Sequence, residues 1–434
     1  MTTRIDELVS DDLWENRGDG KEYVDFDNLE VWEVNRFIKV NQLIRHKTDK
    51  PIVRINTHTG VVDTTTDHSL IDHNNQKIKP VDVKVDETRL LRTSFDNLLD
   101  ELNEHDDTTI TPELAYCWGM FMAEGSCGVY PNAIYGIKYS WAINNVDLDV
   151  LEECKSKLDF ETKILDTLAS SGYYKLVPCD GHLKPHVLKY RKLFYNDHKE
   201  KLVPPIILHS SKPVCEEFLR GFFDGDGCQK DKAKIGCSRF DQKGQETALG
   251  LWLLVKKCGY KNISVNTRED KVNIFRLSYT DKIQRKQADI VKKKYNLHNT
   301  TDYVYDLSTE THRFHAGVGE IVVHNTDSVF LLPKKEEFEG MTDPRQKVTH
   351  CQDLAEALLV DIRTEIRRIT RRDTNVIDMA LDKLLYPALY MGKKKYCAII
   401  WEGDKEPEEY ISGLEFKKRG KSQLLRDLSQ RVVT

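Results

Sequence analysis

The chain has 434 residues, 39% hydrophobic and 31% charged, with a formal net charge of −5. That length exceeds one ordinary core and predicts about two to four domains. The mild acidity excludes nucleic-acid binding by overall charge alone, so a DNA-facing surface has to come from local patterning. No run of about 18 apolar residues is present, so no membrane span is expected. MTTRIDELVSDDLW is acidic and has no apolar stretch, unlike a signal peptide. None of the ten cysteines forms a C-x-x-C pair, which points to free thiols in a reducing compartment.

In chain order, residues 30–75 read as strands. VWEVNRFIKVNQLIRH and KPIVRINTHTGVVDTTTDHSLI are rich in β-branched residues and broken by turn signals. TPELAYCWGMFMAEGSCGVY opens with Thr-Pro, a helix start, and runs apolar to a glycine-containing stop. VCEEFLRGFFDGDGCQK repeats that design about a hundred residues later, an internal repeat that implies two similar half-domains. ALGLWLLVKKCGY and DKIQRKQADIVKKKYN supply further strand-like and helix-like segments. YVYDLSTETHRFHAGVGEIVVHN returns to strand character. Beyond it, TDSVFLLP is strand-like, and Leu354, Leu358, Ile362, Ile366 and Ile369 form a helical stripe. Strands are expected around MALDKLLYPALYM, KKKYCAIIWEG and EEYISGLEFKK.

The dipeptide His324-Asn325, followed by Thr326, has chemistry of its own. An asparagine amide can attack its own peptide carbonyl, forming a succinimide and breaking the chain, if it is held in line. An adjacent histidine can move the proton, and a hydroxyl on the next residue can accept an acyl group. Alone, His-Asn-Thr is a common loop sequence. It has company in Thr65-Thr66-Asp67-His68 upstream and in Asp306 and His312 just before it. Read blandly, His68 is a satisfied strand-end histidine and Asp306 a turn carboxylate.

DTTTDHSLI, VYDLSTETHRF and EIVVHN together resemble the splicing blocks of inteins. The resemblance implies an all-β horseshoe, the Hint fold, built from both ends of the element with an insertion between them. It implies that Thr65 and His68 activate an upstream scissile bond and that Asp306 and His312 relay protons. His324 would assist cyclisation of Asn325, and Thr326 would be the downstream nucleophile. Inteins begin with Cys, Ser or Ala in a first block. RIDELV resembles the stretch just after that block, so a missing N-terminal piece, supplied in trans or lost, is expected.

Trp118-Gly119-Met120-Phe121-Met122-Ala123-Glu124-Gly125 and Arg220-Gly221-Phe222-Phe223-Asp224-Gly225-Asp226-Gly227 place small residues where two helices could approach backbone to backbone. Glu124 and Asp226 would then lie side by side. Two facing carboxylates repel unless a hard cation binds between them, which suits Mg²⁺. A calcium loop in DGDG fails, because the twelfth position from Asp224 is Ile235. The repeats resemble the two motifs of a single-chain LAGLIDADG homing endonuclease. That family acts as a pseudo-dimer on double-stranded DNA, and Lys201 before LVPPIIL resembles a lysine that assists catalysis. The family's DNA surface is a pair of β-saddles. Candidate contacts are KYRKLFYNDHKEK and KKCGYKNISVNTREDKVN, with a plain solvated surface as the alternative.

Thr326-Asp327-Ser328-Val329-Phe330, YPALYMGKKKYCAI and GLEFKKRG resemble successive motifs of family B DNA polymerases. The resemblance makes Asp327 a metal-binding palm aspartate and sets Lys393, Lys394, Lys395 and Tyr396 against primer-template. Gly420 departs from the acidic residue usual there. A two-metal polymerase site also needs a second carboxylate from a joined N-terminal part.

The expected architecture is multidomain. An all-β Hint domain (1–108 and 300–325) is split by an α+β LAGLIDADG pseudo-dimeric endonuclease (109–299), and an α+β polymerase palm fragment (326–434) comes last. The expected activities are splicing or cleavage at Asn325-Thr326, Mg²⁺-dependent cutting of double-stranded DNA, and polymerase function once joined to the missing N-terminal piece. The rival reading is an inert or DNA-binding remnant, and a third is a longer true product. The chain is expected inside the cell, in the cytoplasm, the nucleus or a viral replication site, and not secreted.

Overall fold

Alternating and continuous apolar runs at the two ends of the first 325 residues form strands that pair with one another, and the repeated helix design sits between them. The computed structural model describes residues 3–16, 21–95, 98, 110–132, 136–179, 183–227, 238–282, 287–297, 303–325, 333–370, 381, 383–392, 395–401 and 406–412. Among these residues no helix is long and apolar enough to cross a membrane. The chain divides into two units. One comprises Met1–Asp11, Phe26–Asn41 and Thr48–Asn325; the other comprises Asp12–Asp25, Gln42–Lys47 and Thr326–Thr434.

The first strands are β1 (Glu15–Asn16), β2 (Glu22–Trp32), β3 (Phe37–Lys47), β4 (Ile52–Thr57), β5 (Gly60–Thr65), β6 (Leu70–Ile71) and β7 (Lys77–Ile78). Helix α1 (Pro112–Glu124) comes next, capped by Thr111, whose hydroxyl accepts from the Leu114 amide at 3.3 Å, with proline in the first turn. Then come β8 (Gly125–Asn132), β9 (Gly136–Asn145), α2 (Leu148–Lys157), β10 (Thr162–Asp166), β11 (Tyr174–Pro178) and α3 (Leu183–Phe194). The strands form a sheet in the order β10-β11-β9-β8. The second helix of the repeat, α4 (Lys212–Asp226), is followed by β12 (Ser238–Lys243), α5 (Gln245–Lys257), β13 (Asn262–Thr267) and β14 (Ile274–Thr280), with sheet order β12-β14-β13. In both halves the strand before the inner helix, α2 or α5, and the two strands after it have the same spatial order. This matches the two half-domains read from the repeat.

Strands β15 (Val291–Leu297), β16 (Tyr303–Thr309), β17 (Arg313–His315), β18 (Val318–Gly319) and β19 (Val322–His324) return to the N-terminal strands. Apart from β16, they form sheets in the orders β15-β4-β5-β18 and β17-β19-β6-β7. Because β15 pairs with β4, residues 291–297 join the flanking strands, although they were expected within the inserted segment 109–299. One apolar core runs through this unit, linking Trp32, Phe95, Val61 and Val318 with Trp252 and the buried faces of α1 and α4.

In the second unit, Glu15 and Asn16 pair with the start of β2, and the Arg45 guanidinium lies 4.3 Å over the Trp14 ring and 2.5 Å from Glu22. Further along are α6 (Pro344–Thr370) and a sheet of β20 (Leu384–Gly392), β21 (Lys395–Trp401) and β22 (Glu408–Ser412), in that order. The apolar stripe of α6 is not packed along its length: Leu358 is exposed, and the side chains of Ile366 and Ile369 lie outside the described residues.

Candidate functional site

Two clusters bring sequence-predicted residues together. The first surrounds Asn325. Strand β19 lies between β17 and β6, with His324 opposite Arg313 and Val323 opposite Leu70. The His324 amide donates to the Ser69 carbonyl at 3.1 Å, which fixes it beside the turn that carries His68. That turn is closed by the His68 amide donating to the Thr65 carbonyl at 3.3 Å, and the Thr65 hydroxyl donates to Asp67, which also pairs with Lys50. On the other side, His312 stands in a left-handed conformation (φ 56°) at the end of a turn from Thr309. Its carbonyl accepts the Asn325 amide at 2.8 Å. The Asn325 side-chain nitrogen donates to the Leu307 carbonyl at 2.9 Å, and the Leu307 amide donates to the Asp306 carboxylate at 2.9 Å. Asn325 is 3% exposed and His324 8%.

The electrostatics keep the His324 and His68 imidazoles neutral. Burial is the main cause that pushes His324 down to about 3, helped by the proximity of Lys77, His312, Arg313 and His68. Burial also lowers His68, opposed by Asp67. The His312 and His324 ring centroids are 6.2 Å apart. A neutral histidine beside a held asparagine amide can accept a proton, the property a cyclisation needs. Lys77, Arg313 and the Ser69 carbonyl were not singled out from the sequence; only strand pairing reveals them. Thr326, which would receive the acyl group, lies outside the described residues.

The second cluster lies at the ends of α1 and α4. A Cβ added at Gly119 would stand 2.0 Å from the Phe218 carbonyl oxygen, and one at Gly221 2.0 Å from that of Tyr116. Only glycine permits this backbone contact. One turn on, Gly225 meets the Ala123 Cβ. The helices therefore end together, with Glu124 and Asp226 as their last residues. Burial and then the charge of Asp226 raise Glu124, opposed by Lys201. The side chain of Asp226 is exposed, yet withdrawal of solvent around its carboxyl still raises it, against a 3.1 Å bond from Gln242 and the charge of Lys201. Asp224 turns aside, 3.5 Å from Arg220 and 3.4 Å from the Tyr116 hydroxyl.

Lys201 sits beneath the end of α1. Its ammonium donates to the carbonyls of Phe121 and Met122 at 3.0 Å each, Ala123 at 3.5 Å and Gly125 at 2.5 Å. These include orphan carbonyls of a helix end, which carries partial negative charge. Burial lowers Lys201 to about 8 although both carboxylates oppose the shift. Gln242 was missed from the sequence. Its signal is its place two residues after buried Phe240 on β12, which turns it to the same face.

Glu124 and Asp226 suit a hard divalent cation: both are carboxylates, both are raised by lost solvent, and each gains when a positive charge replaces their mutual repulsion. Among the described residues no group of three or more candidate ligands converges, so a cation there would take its other ligands from water or substrate.

Of the expected DNA-contact segments, KYRKLFYNDHKEK is not a surface strand. It ends α3, with Tyr190 and Phe194 buried in the core around Phe121 and Trp118. In KKCGYKNISVNTREDKVN, Lys256 turns inward to Glu320 at 2.9 Å and so is no DNA contact, and Lys257 is buried and donates to the Leu208 carbonyl at 2.6 Å. Strand β13, by contrast, presents Asn262, Ser264 and Asn266 on the face away from the core. Arg276 lies between Asn266 and Asp241 on that face, bonding Asp241 at 2.6 and 2.7 Å. The corresponding face of the first half carries Lys138, Ser140, Lys163 and Lys175. Asp327, Lys393 and Lys394 lie outside the described residues. Lys395 and Tyr396 begin β21, and their side chains are also outside the description.

No family model matches the chain. The DNA polymerase of Acanthamoeba polyphaga mimivirus is 40% identical over 416 residues, which are 92% of this chain and 22% of that protein. The DNA polymerase of Thermococcus hydrothermalis is 24% identical over 93% of this chain and 25% of its own length. The chain thus spans about a quarter of the curated relatives it matches. A solved structure described as variants of the homing endonuclease I-DmoI aligns with a TM-score of 0.30 at 11% identity, covering 39% of this chain and 89% of that one. At that score the likeness carries no argument.

Proposed function

We propose that residues up to Asn325 act as a protein-splicing element of the intein kind, which breaks the Asn325-Thr326 bond by cyclisation of Asn325. One observation carries this reading: strands more than two hundred residues apart in sequence pair so that Asn325 is enclosed with His68, His312 and His324. The side-chain nitrogen of Asn325 attacks its own carbonyl carbon. The C–N bond to Thr326 breaks, the proton lost from the side-chain amide passes through a neutral imidazole to the departing nitrogen, and Thr326 leaves with a free amine. His312 holds the Asn325 backbone, and Leu307, fixed by Asp306, holds the amide. The resemblance to inteins, which assigns Thr65, His68, Asp306, His312, His324 and Thr326 their roles, supports the same reading. Purified chain should yield a fragment beginning at Thr326 by mass spectrometry. Persistence of intact chain on prolonged incubation, matching Asn325→Ala, would remove the claim.

A second activity rests on a separate observation, the placement of Glu124 and Asp226 together as the last residues of the glycine-contact helices. It is site-specific cutting of double-stranded DNA by a single-chain pseudo-dimer of the LAGLIDADG kind. Mg²⁺ held by Glu124 and Asp226 would polarise the phosphate and activate water. The chain's own residues align the helix ends, through Gly119, Gly221 and Lys201, and offer polar strand faces to a duplex. The match to proteins named DNA polymerase fits insertion of such an element in a polymerase gene, whose uninterrupted junction would be the target. Residues from Thr326 would serve a family B polymerase palm, with Asp327 as a metal ligand, once joined to an N-terminal partner, inside the cell. A plasmid carrying the uninterrupted junction should be linearised with Mg²⁺, and an uncut plasmid would refute this activity.

A further inference from the structure

The inserted unit does not merely hang from the splicing strands. Its strand β13 lies along the β4–β5 turn: the Val265 amide donates to the His58 carbonyl at 3.1 Å, and the Asn56 side chain donates to the Val265 carbonyl at 3.1 Å. The Thr267 hydroxyl donates to the Asn56 side-chain oxygen at 3.1 Å and accepts from the Tyr295 hydroxyl at 2.9 Å. The same turn grips the approach to β19. The Glu320 amide donates to the Thr59 carbonyl at 3.2 Å, and Gly319, at φ 89°, lies so close that an added Cβ would stand 2.0 Å from that oxygen. Glu320 is four residues before His324. Its side chain is 5% exposed and accepts charge from two sides: Lys256 of α5 at 2.9 Å and the more exposed Arg92, whose Nε stands at 2.9 Å. Lys256 is itself 12% exposed and lies 5.3 Å over Trp252, which packs edge-on against Phe95, and Phe95 packs in turn against His315.

Resting on the reading of Asn325 as the residue that cyclises, we infer that Lys256, borne by the nuclease half, is a positioning residue for that cleavage: its ion pair with buried Glu320 seats the 317–321 turn, and through it His324 and Asn325. A buried carboxylate that loses one of its two cations is left under-compensated and moves toward water. Lifting the turn from Thr59 would bring Glu320 to water and strain the pairing of β19 with β6 and β17. The groups that hold a reacting residue from behind set how often it is in line.

In the full chain, Lys256→Met should slow appearance of the Thr326 fragment about tenfold, and Lys256→Arg should restore it to within about twofold, because the pair needs a charge at that place. Duplex cutting at Glu124 and Asp226 should be unchanged in both, which shows that α5 is folded. If Lys256→Met does lose duplex cutting, Glu320→Gln removes the same pair without touching α5 and should slow cleavage equally. Hydrogen exchange of residues 318–325, measured in an Asn325→Ala background where no cleavage intervenes, should rise with Lys256→Met and stay low with Lys256→Arg. Wild-type cleavage by Lys256→Met or Glu320→Gln, or unchanged exchange in that segment, overturns the inference. If the unsubstituted chain never yields the fragment, the splicing reading fails, while the exchange measurement still decides whether Lys256 seats the turn.

Discussion

Glu124 and Asp226 meet because two helices of one design end side by side, whereas His324, next to Asn325, comes beside His68 only through pairing of strands from opposite ends of the unit. The first arrangement is local twice over and then joined by reciprocal backbone contacts at Gly119 and Gly221. The second is spread over several short strands, none longer than three residues at β6, β17 and β19. A site of the first kind is robust to change in its loops and intolerant of one extra carbon at its contact. A site of the second kind depends on register everywhere, so distant substitutions reach it.

The largest expected effect is on the distributed site: Asn325→Ala should leave no detectable Thr326 fragment, since it removes the attacking atom. At the helix ends, Glu124→Gln or Asp226→Asn should lower duplex cutting on the order of a hundredfold or more by removing a metal ligand. Mg²⁺ should raise the Tm of the parent chain and do so less for either variant, measured by calorimetry. Gly221→Val should cost at least about 3 kcal/mol in urea unfolding, because the backbone contact with Tyr116 cannot widen without parting the helices. The acid dependence sharpens the contrast. His324 titrates near 3 and His315 near 4 when folded, both below the ordinary histidine value. Protons therefore favour the unfolded chain, and the stability present above about 6.5 is lost as pH falls toward the folded values. Between pH 6.5 and 5 this costs about 2 kcal/mol per histidine, read as a fall in the urea midpoint. The smallest effect is expected for Lys50→Ala, which breaks an exposed pair with Asp67 and should change stability by less than about 1 kcal/mol.

The helix pair was legible because its chemistry is written in consecutive residues. Gly119 and Gly221 mark the contact, and Glu124 and Asp226 come at the same distance in each repeat. The neighbours that tune those acids were less legible. Lys201 was singled out by resemblance, but its placement against four carbonyls depends on where α1 stops. Gln242 enters only through strand alternation. At the other site the sequence marked Thr65, His68, Asp306, His312 and His324 in order, yet nothing local foretold that β15 would leave the inserted segment for β4, or that α3 would bury the aromatics of a segment rich in lysine. Tyr190 and Phe194 keep a helical spacing that a reading by charge passes over.

The His58–Thr59 turn has one more effect. Strand β13 is the border of its three-stranded sheet, and such a border normally offers unpaired amides and carbonyls to any passing chain. Here both main-chain groups of Val265 are already engaged, by His58 and Asn56. The flanking strands thus act as an intramolecular guard against sticky self-association, and an inserted domain cut free of them would carry an adhesive margin into solution.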